Sequence, residues 1–571
     1  MIAGLFWMAA AHSSALLGTH ALWRKVRTED RPLDALLFLV LHVLLQSAAV
    51  LAAGLCGALS ARALGGAGLV VLAGLLLAGE HRRVRLPEKP DLGRGTSVLL
   101  GLLSLRMLLQ VWFFAPHSGD ALGYHLPKIG EWVQSGRFTQ EMGLDLQAPL
   151  PAGFELLETW WVLFLRHDGF IEMAGVELAL VGFAAVRLLA LKMGLEGRSA
   201  FLAAVLYLAT PLFALQATAC YNDAPIAALT LTVAAGISAR AHPLLVLVPL
   251  AVGLGVKGTM LYMLPGWLLL LYWRRGVPWL RPASLRWTIA VALLSLAIGG
   301  FWYARNLVWF GNPAFPVTPQ GFEWGTARIQ GGPRLASLPA NVASLLSRAI
   351  YDDAGPLQPL AVGIAGWGLV AFGPGAVALV LGLREDRELR RHAAAFLVAT
   401  AGVFLMTTPD DWCMRFVLFF PALLCIAAAR LAAQAPPVAL LVGAGVALQF
   451  ATSCVPQELS PEDMARLLGQ PWAQRSAGPI VGFEGVPPGE PVAVCATTRF
   501  PEYVAYGPDF SHRVLHLRVD DAAEMREQMV RHGVRYVYLE LTSPRRNGEI
   551  NIMRKIGDIT RLTDHLYRLE Q

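Results

Sequence analysis

The sequence predicts a polytopic α-helical membrane protein with a small α/β domain at its C-terminal end, and three observations carry that prediction. Of the 571 residues, 55% are hydrophobic and 15% charged, against roughly a quarter charged in soluble globular domains. Mean hydropathy is +0.50, and the apolar residues run in stretches near the roughly 20 residues a helix needs to cross a bilayer. From residue 455 onward that pattern stops, and short strand-like runs bounded by Pro, Gly and Asp replace it.

Basic clusters order the crossings. "WRKVR" (23–27), "EHRRVRLPEK" (80–89), "RLLALKMGLEGR" (187–198), "WRRG" (273–276) and "REDRELRR" (384–391) belong on the cytoplasmic side, where loops carry an excess of Lys and Arg. Helices threaded between them fall near 3–22, 34–55, 64–80, 97–115, 170–190, 199–218, 224–239, 242–256, 258–273, 287–308, 358–383, 392–407, 414–431 and 437–453. This is a bundle of about 12–14 membrane helices. The first stretch lacks a basic n-region and reads as a membrane helix rather than a cleaved signal. Segment 152–166 fits the alternation of basic loops best if it does not cross.

The net charge of +6 does not indicate nucleic-acid binding, because the cations sit in short clusters between apolar runs. The six Cys (56, 220, 413, 425, 454 and 495) show no CxxC spacing, and most read as buried thiols. No Walker loop, dinucleotide fingerprint or GxSxG is present.

The threading leaves most of the uncommon polar residues on the outer face. Loops 116–151 and 309–357, "YNDAP" (221–225), Lys257, "TPDDW" (408–412) and the tail all emerge there. The organisation is therefore a membrane module, 1–454, with outer loops 116–151 and 309–357, followed by an outer α/β domain, 455–571. In the tail, "PVAVCA" (491–496), "RVLHLRV" (513–519) and "RYVYLEL" (535–541) read as strands. "DDAAEMREQMVRHG" reads as a helix with an Asp cap and a Gly stop.

Within loop 116–151, Leu122, Leu126, Ile129 and Val133 recur at helical spacing, with Lys128, Glu131 and Gln134 opposite. That pattern suits an amphipathic helix in the interface plane, with Tyr124 and Trp132 at headgroup level. Asp120 precedes it and is either a helix cap or a functional acid. Asp223 opens a second helix and carries the same two readings. Lys257 lies in a stretch with no other charge, where an ammonium must snorkel or find an anion. Arg305 and Arg415 flank the outer boundary among aromatics, against the positive-inside bias. A lipid phosphate would account for all three cations, whereas Asp410 and Asp411 offer Arg415 a purely structural partner. His117 and His125 beside Asp120 lack metal-ligand spacing, so no cofactor is expected and a divalent metal has no motif in its support.

In order along the chain, "YHLPKIGEWVQSGRF", "PAGFELLETWW", "YNDAP", "VKGTM", "RNLVWFGNPAFP" and "RFVLFFPALL" resemble the GT-C class of integral-membrane glycosyltransferases, over about residues 100–430. The nearest likeness is to the protein mannosyltransferase and aminoarabinose transferase branch. The resemblance implies an inverting transfer of sugar from a polyprenyl-phosphate donor to an acceptor at the outer face of a cytoplasmic (inner) membrane. By matching position, Asp120 would be general base. A hydroxyl losing its proton as it attacks needs such a carboxylate, and a departing phosphate needs fixed cations such as Lys257, Arg305 and Arg415. Tyr124, His125, Lys128 and Trp132 would frame the substrate. Many members carry paired acids in the first loop, whereas Asp120 stands between Gly119 and Ala121. That leaves open whether Asp223 supplies the second carboxylate. The acceptor (protein, lipid or glycan) and the sugar are not specified. The alternative from another class is a polyprenyl-linked glycan flippase, and a third is a non-catalytic scaffold. No internal repeat of the kind transporters carry is evident.

Overall fold

The computed structural model describes residues 2–570 except 29, 85–90, 141–146, 240–241, 275–284, 319–320, 325–326, 331–363, 408–412, 454–460, 473–474, 476–485, 488, 496–501, 508, 518–521, 540–558 and 564–565. Helices α1 (Ile2–Val26), α2 (Arg31–Leu55), α3 (Ala61–Leu77) and α4 (Arg94–Phe113) open the bundle. Two short helices follow, α5 (Leu126–Ser135) and α6 (Gly153–Leu163). The bundle resumes with α7 (Met173–Lys192), α8 (Gly197–Leu208), α9 (Pro211–Gln216), α10 (Asp223–Ser238), α11 (Leu244–Val256), α12 (Thr259–Tyr262), α13 (Leu264–Trp273) and α14 (Leu285–Phe310). It closes with α15 (Ala376–Glu385), α16 (Arg387–Met406), α17 (Phe420–Gln434) and α18 (Pro436–Ser453).

Among the described residues six helices are long and apolar enough to cross a membrane, and seven shorter apolar helices accompany them; the chain is an integral membrane protein. The helices follow the expected spans closely. The span 199–218 divides into α8 and α9 at Pro211, which stands in the first turn of α9. Helix α6 has 11 residues, about 16 Å at 1.5 Å each, half the hydrocarbon thickness. It lies buried on every side and does not cross.

Helix α10 is the centre: every residue from Asp223 to Ser238 is buried, with α7, α11 and α13 packed around it. By contrast α14 turns Ile289, Leu293 and Leu296 outward, as a lipid-facing helix should. The basic clusters expected at one face do gather at one end. There Lys192 pairs with Asp30 at 2.6 Å, Arg24 with Glu80 at 3.2 Å and Arg274 with Glu388 at 2.6 Å.

After α14, residues of loop 309–357 form a small antiparallel sheet. Its strands are β1 (Val317–Thr318), β2 (Gly321–Trp324) and β3 (Ala327–Gln330), in that order; residues 331–357 of the loop lie outside the described residues. The tail begins with α19 (Pro461–Gly469). It continues with β4 (Val492–Cys495), β5 (Val514–His516), α20 (Ala522–Arg531), β6 (Tyr536–Leu539), β7 (Ile559–Arg561) and β8 (Leu566–Leu569). The five strands form a sheet of order β5-β4-β6-β8-β7, with β4 parallel to both neighbours and β8 antiparallel to β6 and β7. Met525 and Met529 of α20 pack on Ala493, Val537 and Tyr567, because their i, i+4 spacing puts both on one helix face.

Helices α11 and α14 approach through glycine. A Cβ on Gly255 would lie 2.8 Å from the Cα of Gly299, and one on Gly299 would fall on the Ala251 carbonyl. Small residues let membrane helices touch backbone to backbone, and this contact sets the end of α11 where Lys257 follows. Gly299→Val is expected to force the two helices apart at a cost of about 1–3 kcal/mol, read as a lowered Tm in detergent. An unchanged Tm would contradict the contact.

Candidate active site

Four charged side chains from four separate stretches of sequence meet at the end of the bundle opposite the basic clusters. Asp120 follows α4 and stands immediately before a wide π turn, Ala121–His125, that leads into α5. Asp223 is the first residue of α10, and Lys257 follows the last residue of α11. Arg415 sits in a 3-10 turn, Cys413–Val417, ahead of α17. Arg415 Nη1 donates to Asp120 Oδ2 at 2.9 Å, and its Nε lies 3.4 Å from Asp223 Oδ2. Lys257 Nζ donates to Asp223 Oδ1. The result is a row of alternating sign, Asp120–Arg415–Asp223–Lys257.

Helix geometry favours each placement. A carboxylate in the first turn of α10 and an ammonium at the end of α11 both complement helix dipoles. Neither acid caps a helix: no side-chain capping bond forms at Asp120, and the N-cap position of α10 belongs to Asn222. The local reading of both acids as caps therefore gives way to long-range ion pairing. Lys257 likewise does not snorkel but pairs. Aromatic rings wall the cations, with Phe416 4.4 Å from Lys257 Nζ and 5.2 Å from the Arg415 guanidinium, and Tyr221 5.3 Å from Arg415. Asp223 is the buried member of the row at 2% side-chain exposure, whereas Asp120 at one end keeps 31% and Lys257 at the other 20%. Asp410 and Asp411 lie outside the described residues.

A second charge cluster is sealed. Glu155 of α6 accepts from Lys128 Nζ at 3.0 Å on Oε1, and the same oxygen lies 2.9 Å from His125 Nδ1. All three side chains are at or below 1% exposure. Burial pushes the Glu155 carboxyl up, but Lys128 and His125 together overcome it and hold the group below the usual carboxylate range. Burial lowers Lys128, against the pull of Glu155. Glu158, one turn along α6, is raised well above that range by burial and by Glu155 beside it.

The polar side of the 122–134 segment is thus partnered by protein: Lys128 meets Glu155 of α6, and Gln134 meets the Phe510 and His512 carbonyls of the tail. Trp132 is not presented to lipid headgroups: it is buried, stacked 5.8 Å from Trp302 at 16°. Tyr124 is buried too, its ring 4.2 Å from that of His125. Arg305 stands apart from the row. Its guanidinium donates to Asn306 Oδ1 at 2.7 and 2.9 Å and to the Pro149 carbonyl at 2.6 Å, over the rings of Trp302 and Trp309. His117 turns Nδ1 to the Ala115 carbonyl at 3.2 Å, and His125 is engaged by Glu155, so neither joins Asp120. Among the described residues no group of three or more His, Cys, Asp or Glu is arranged to hold a metal.

Sequence reasoning missed Glu155, Glu158 and Arg106. The last is buried in α4 and donates to the Ala214 carbonyl at 2.8 Å. The signal was available for the two acids: carboxylates three apart in an apolar run need partners as much as Lys257 does. Glu155→Gln leaves the Lys128 ammonium sealed without a counter-charge, so it is expected to destabilise the protein by about 3–5 kcal/mol. Adding Lys128→Met should recover most of that loss. Unfolding measurements in lipid check this, and losses that simply add in the double variant would refute the pairing.

No protein-family model and no curated protein matches the sequence. Solved structures do. ArnT from Cupriavidus metallidurans bound to undecaprenyl phosphate superposes with a TM-score of 0.51 at 14% identity, covering 82% of this chain and 97% of that one. Its apo state gives 0.51 at 13% identity over 83% and 97%. The fold is therefore the GT-C fold that the sequence resemblance implies, shared with ArnT over most of this chain.

Proposed function

We propose that the chain is an inverting glycosyltransferase that moves a sugar from a polyprenyl-phosphate donor to an acceptor hydroxyl. The site would face the periplasm or exterior from the cytoplasmic membrane, with 1–454 as the catalytic membrane module and 455–571 as an outer domain. The observation that carries the reading is the ion-paired row open at Asp120. A solved neighbour of the same fold with undecaprenyl phosphate bound adds support.

In the proposed reaction the acceptor oxygen bonds to the anomeric carbon as the carbon–oxygen bond to phosphate breaks. The bonding pair leaves with the polyprenyl phosphate, and the hydroxyl proton passes to Asp120. Arg415 engages Oδ2, so Oδ1 is the oxygen left to take the proton. Lys257 and Arg415 meet the charge that grows on the phosphate. Arg415 couples the two events: as phosphate charge draws the guanidinium, it leaves Asp120 Oδ2 and opens the carboxylate to the acceptor hydroxyl. Arg305, engaged with Asn306 and the Pro149 carbonyl, would support the wall behind this site. Asp223 keeps the two cations spaced and neutralised when no donor is bound.

Purified protein in lipid, given a panel of polyprenyl-phosphate sugars and a crude envelope extract, should release free polyprenyl phosphate. Asp120→Asn should cut that release about a hundredfold or more. Undiminished release would move the base to Asp223. Tight binding across a broad panel without release would turn the reading to a flippase. The row uses its own cations and the proposal includes no cofactor, so release should persist in EDTA. Loss that is restored by adding a divalent metal would overturn that part.

A further inference from the structure

We propose that residues 503–507 and 509–512 of the tail act as a brace that sets the position of α5, and through it Asp120, with the Tyr506 ring resting on Gly130. This rests on the reading of Asp120 as the base. Helix α5 is held on one side by Glu155 of α6 and on the other by a 3-10 turn of the tail, Glu502–Tyr506. A Cβ at position 130 would lie 2.8–2.9 Å from three atoms of the Tyr506 ring, so the ring sits directly on helix backbone. Tyr506 is fully buried there.

The ring is anchored from behind. Its hydroxyl lies 3.2 Å from Nε2 of His516 on β5, and His516 Nδ1 lies 3.2 Å from Glu502. One turn further along α5, Gln134 Nε2 donates to the Phe510 carbonyl at 3.1 Å and to the His512 carbonyl. Arg166, beyond α6, donates to the same Phe510 carbonyl at 3.4 Å, and Tyr503 donates to Asp168 at 3.3 Å. Phe510 itself has φ +56, in the left-handed region that side chains other than glycine rarely adopt. That conformation points one carbonyl at two donors from the membrane module.

This arrangement bears on Asp120 because Asp120 makes no capping bond of its own. Its place depends on Arg415 and on the segment it leads into. The π turn and α5 carry any shift of Gly130 or Gln134 toward Asp120, and a misplacement of about 1 Å can cost a hundredfold in rate. The tail would thus be part of the catalytic unit, and Tyr506 a positioning residue rather than a catalytic one.

The test compares Gly130→Ala, Tyr506→Ala, their combination, Gln134→Leu and Tyr506→Phe in the full chain in lipid. Gly130→Ala and Tyr506→Ala should each lower kcat about 10–100-fold with KM for the donor nearly unchanged. The double variant should be no slower than the slower single, because the ring that met the new methyl is gone. Tyr506→Phe, which keeps the ring, should restore most of kcat, and Gln134→Leu tests the brace without touching the core of the tail. Hydrogen exchange of the α5 amides needs no substrate and should rise about tenfold or more in Tyr506→Ala. Wild-type protein that transfers nothing would overturn the functional reading alone. Unchanged α5 exchange, or wild-type kcat in both Gly130→Ala and Gln134→Leu, would overturn the brace.

Discussion

The site depends on one guanidinium between two carboxylates. Arg415 joins the loop carrying Asp120 to the central helix carrying Asp223, and Asp223 in turn holds Lys257. Each of these charges costs several kcal/mol to desolvate. The row offsets that cost by alternating sign, so no charge lacks an opposite neighbour and the four sum to zero. Removing a member would leave an uncompensated charge beside the others, a far larger penalty than a surface pair ever carries. The complete burial of α10 and the glycine contact between α11 and α14 fix the backbone origins from which these side chains reach each other.

The chain contains two lysines that look alike in sequence and differ in environment. Lys257 and Lys128 each pair with a carboxylate. The Lys257 side chain keeps 20% exposure, and its row ends at a solvent-open acid, whereas Lys128 keeps none. A ligand phosphate can reach the first without dismantling the fold. To reach the second it would have to open the contact between α5 and α6. Lys128, His125 and Glu155 hold the segment that follows Asp120. The open row is where chemistry is available.

The hydrophobic pattern made the membrane helices legible, because roughly twenty apolar residues between charged ends have few other solutions in a bilayer. Strands β4, β5 and β6 and helix α20 were legible for the same local reason. That Asp120, Asp223, Lys257 and Arg415 share one end of the bundle followed from counting crossings. Their pairing did not, since Asp120 and Arg415 are 295 residues apart. Periodicity showed that α5 has a polar face but not what covers it. Interface water and a buried glutamate from α6 would give the same spacing, and tertiary packing selected the glutamate. The contact of Tyr506 on Gly130 left no trace in either local stretch, because a glycine inside a helix has many possible reasons.

A neutral row at the boundary of the apolar bundle also explains why transfer, rather than mere binding, is the better proposal. A site built only to hold a lipid phosphate gains most from unpaired cations, and every nearby acid weakens it. Here two acids already occupy the two cations, so an incoming phosphate must compete for them. Competition lowers ground-state affinity, but it makes the cations respond most strongly as the bridging oxygen takes up charge. That is the condition for stabilising a transition state more than a bound substrate. The freed carboxylate at the open end is then not a cost of the arrangement. In the proposed transfer, displacement of Arg415 would leave the Asp120 carboxylate open to the attacking hydroxyl, so one movement would serve both ends of the reaction.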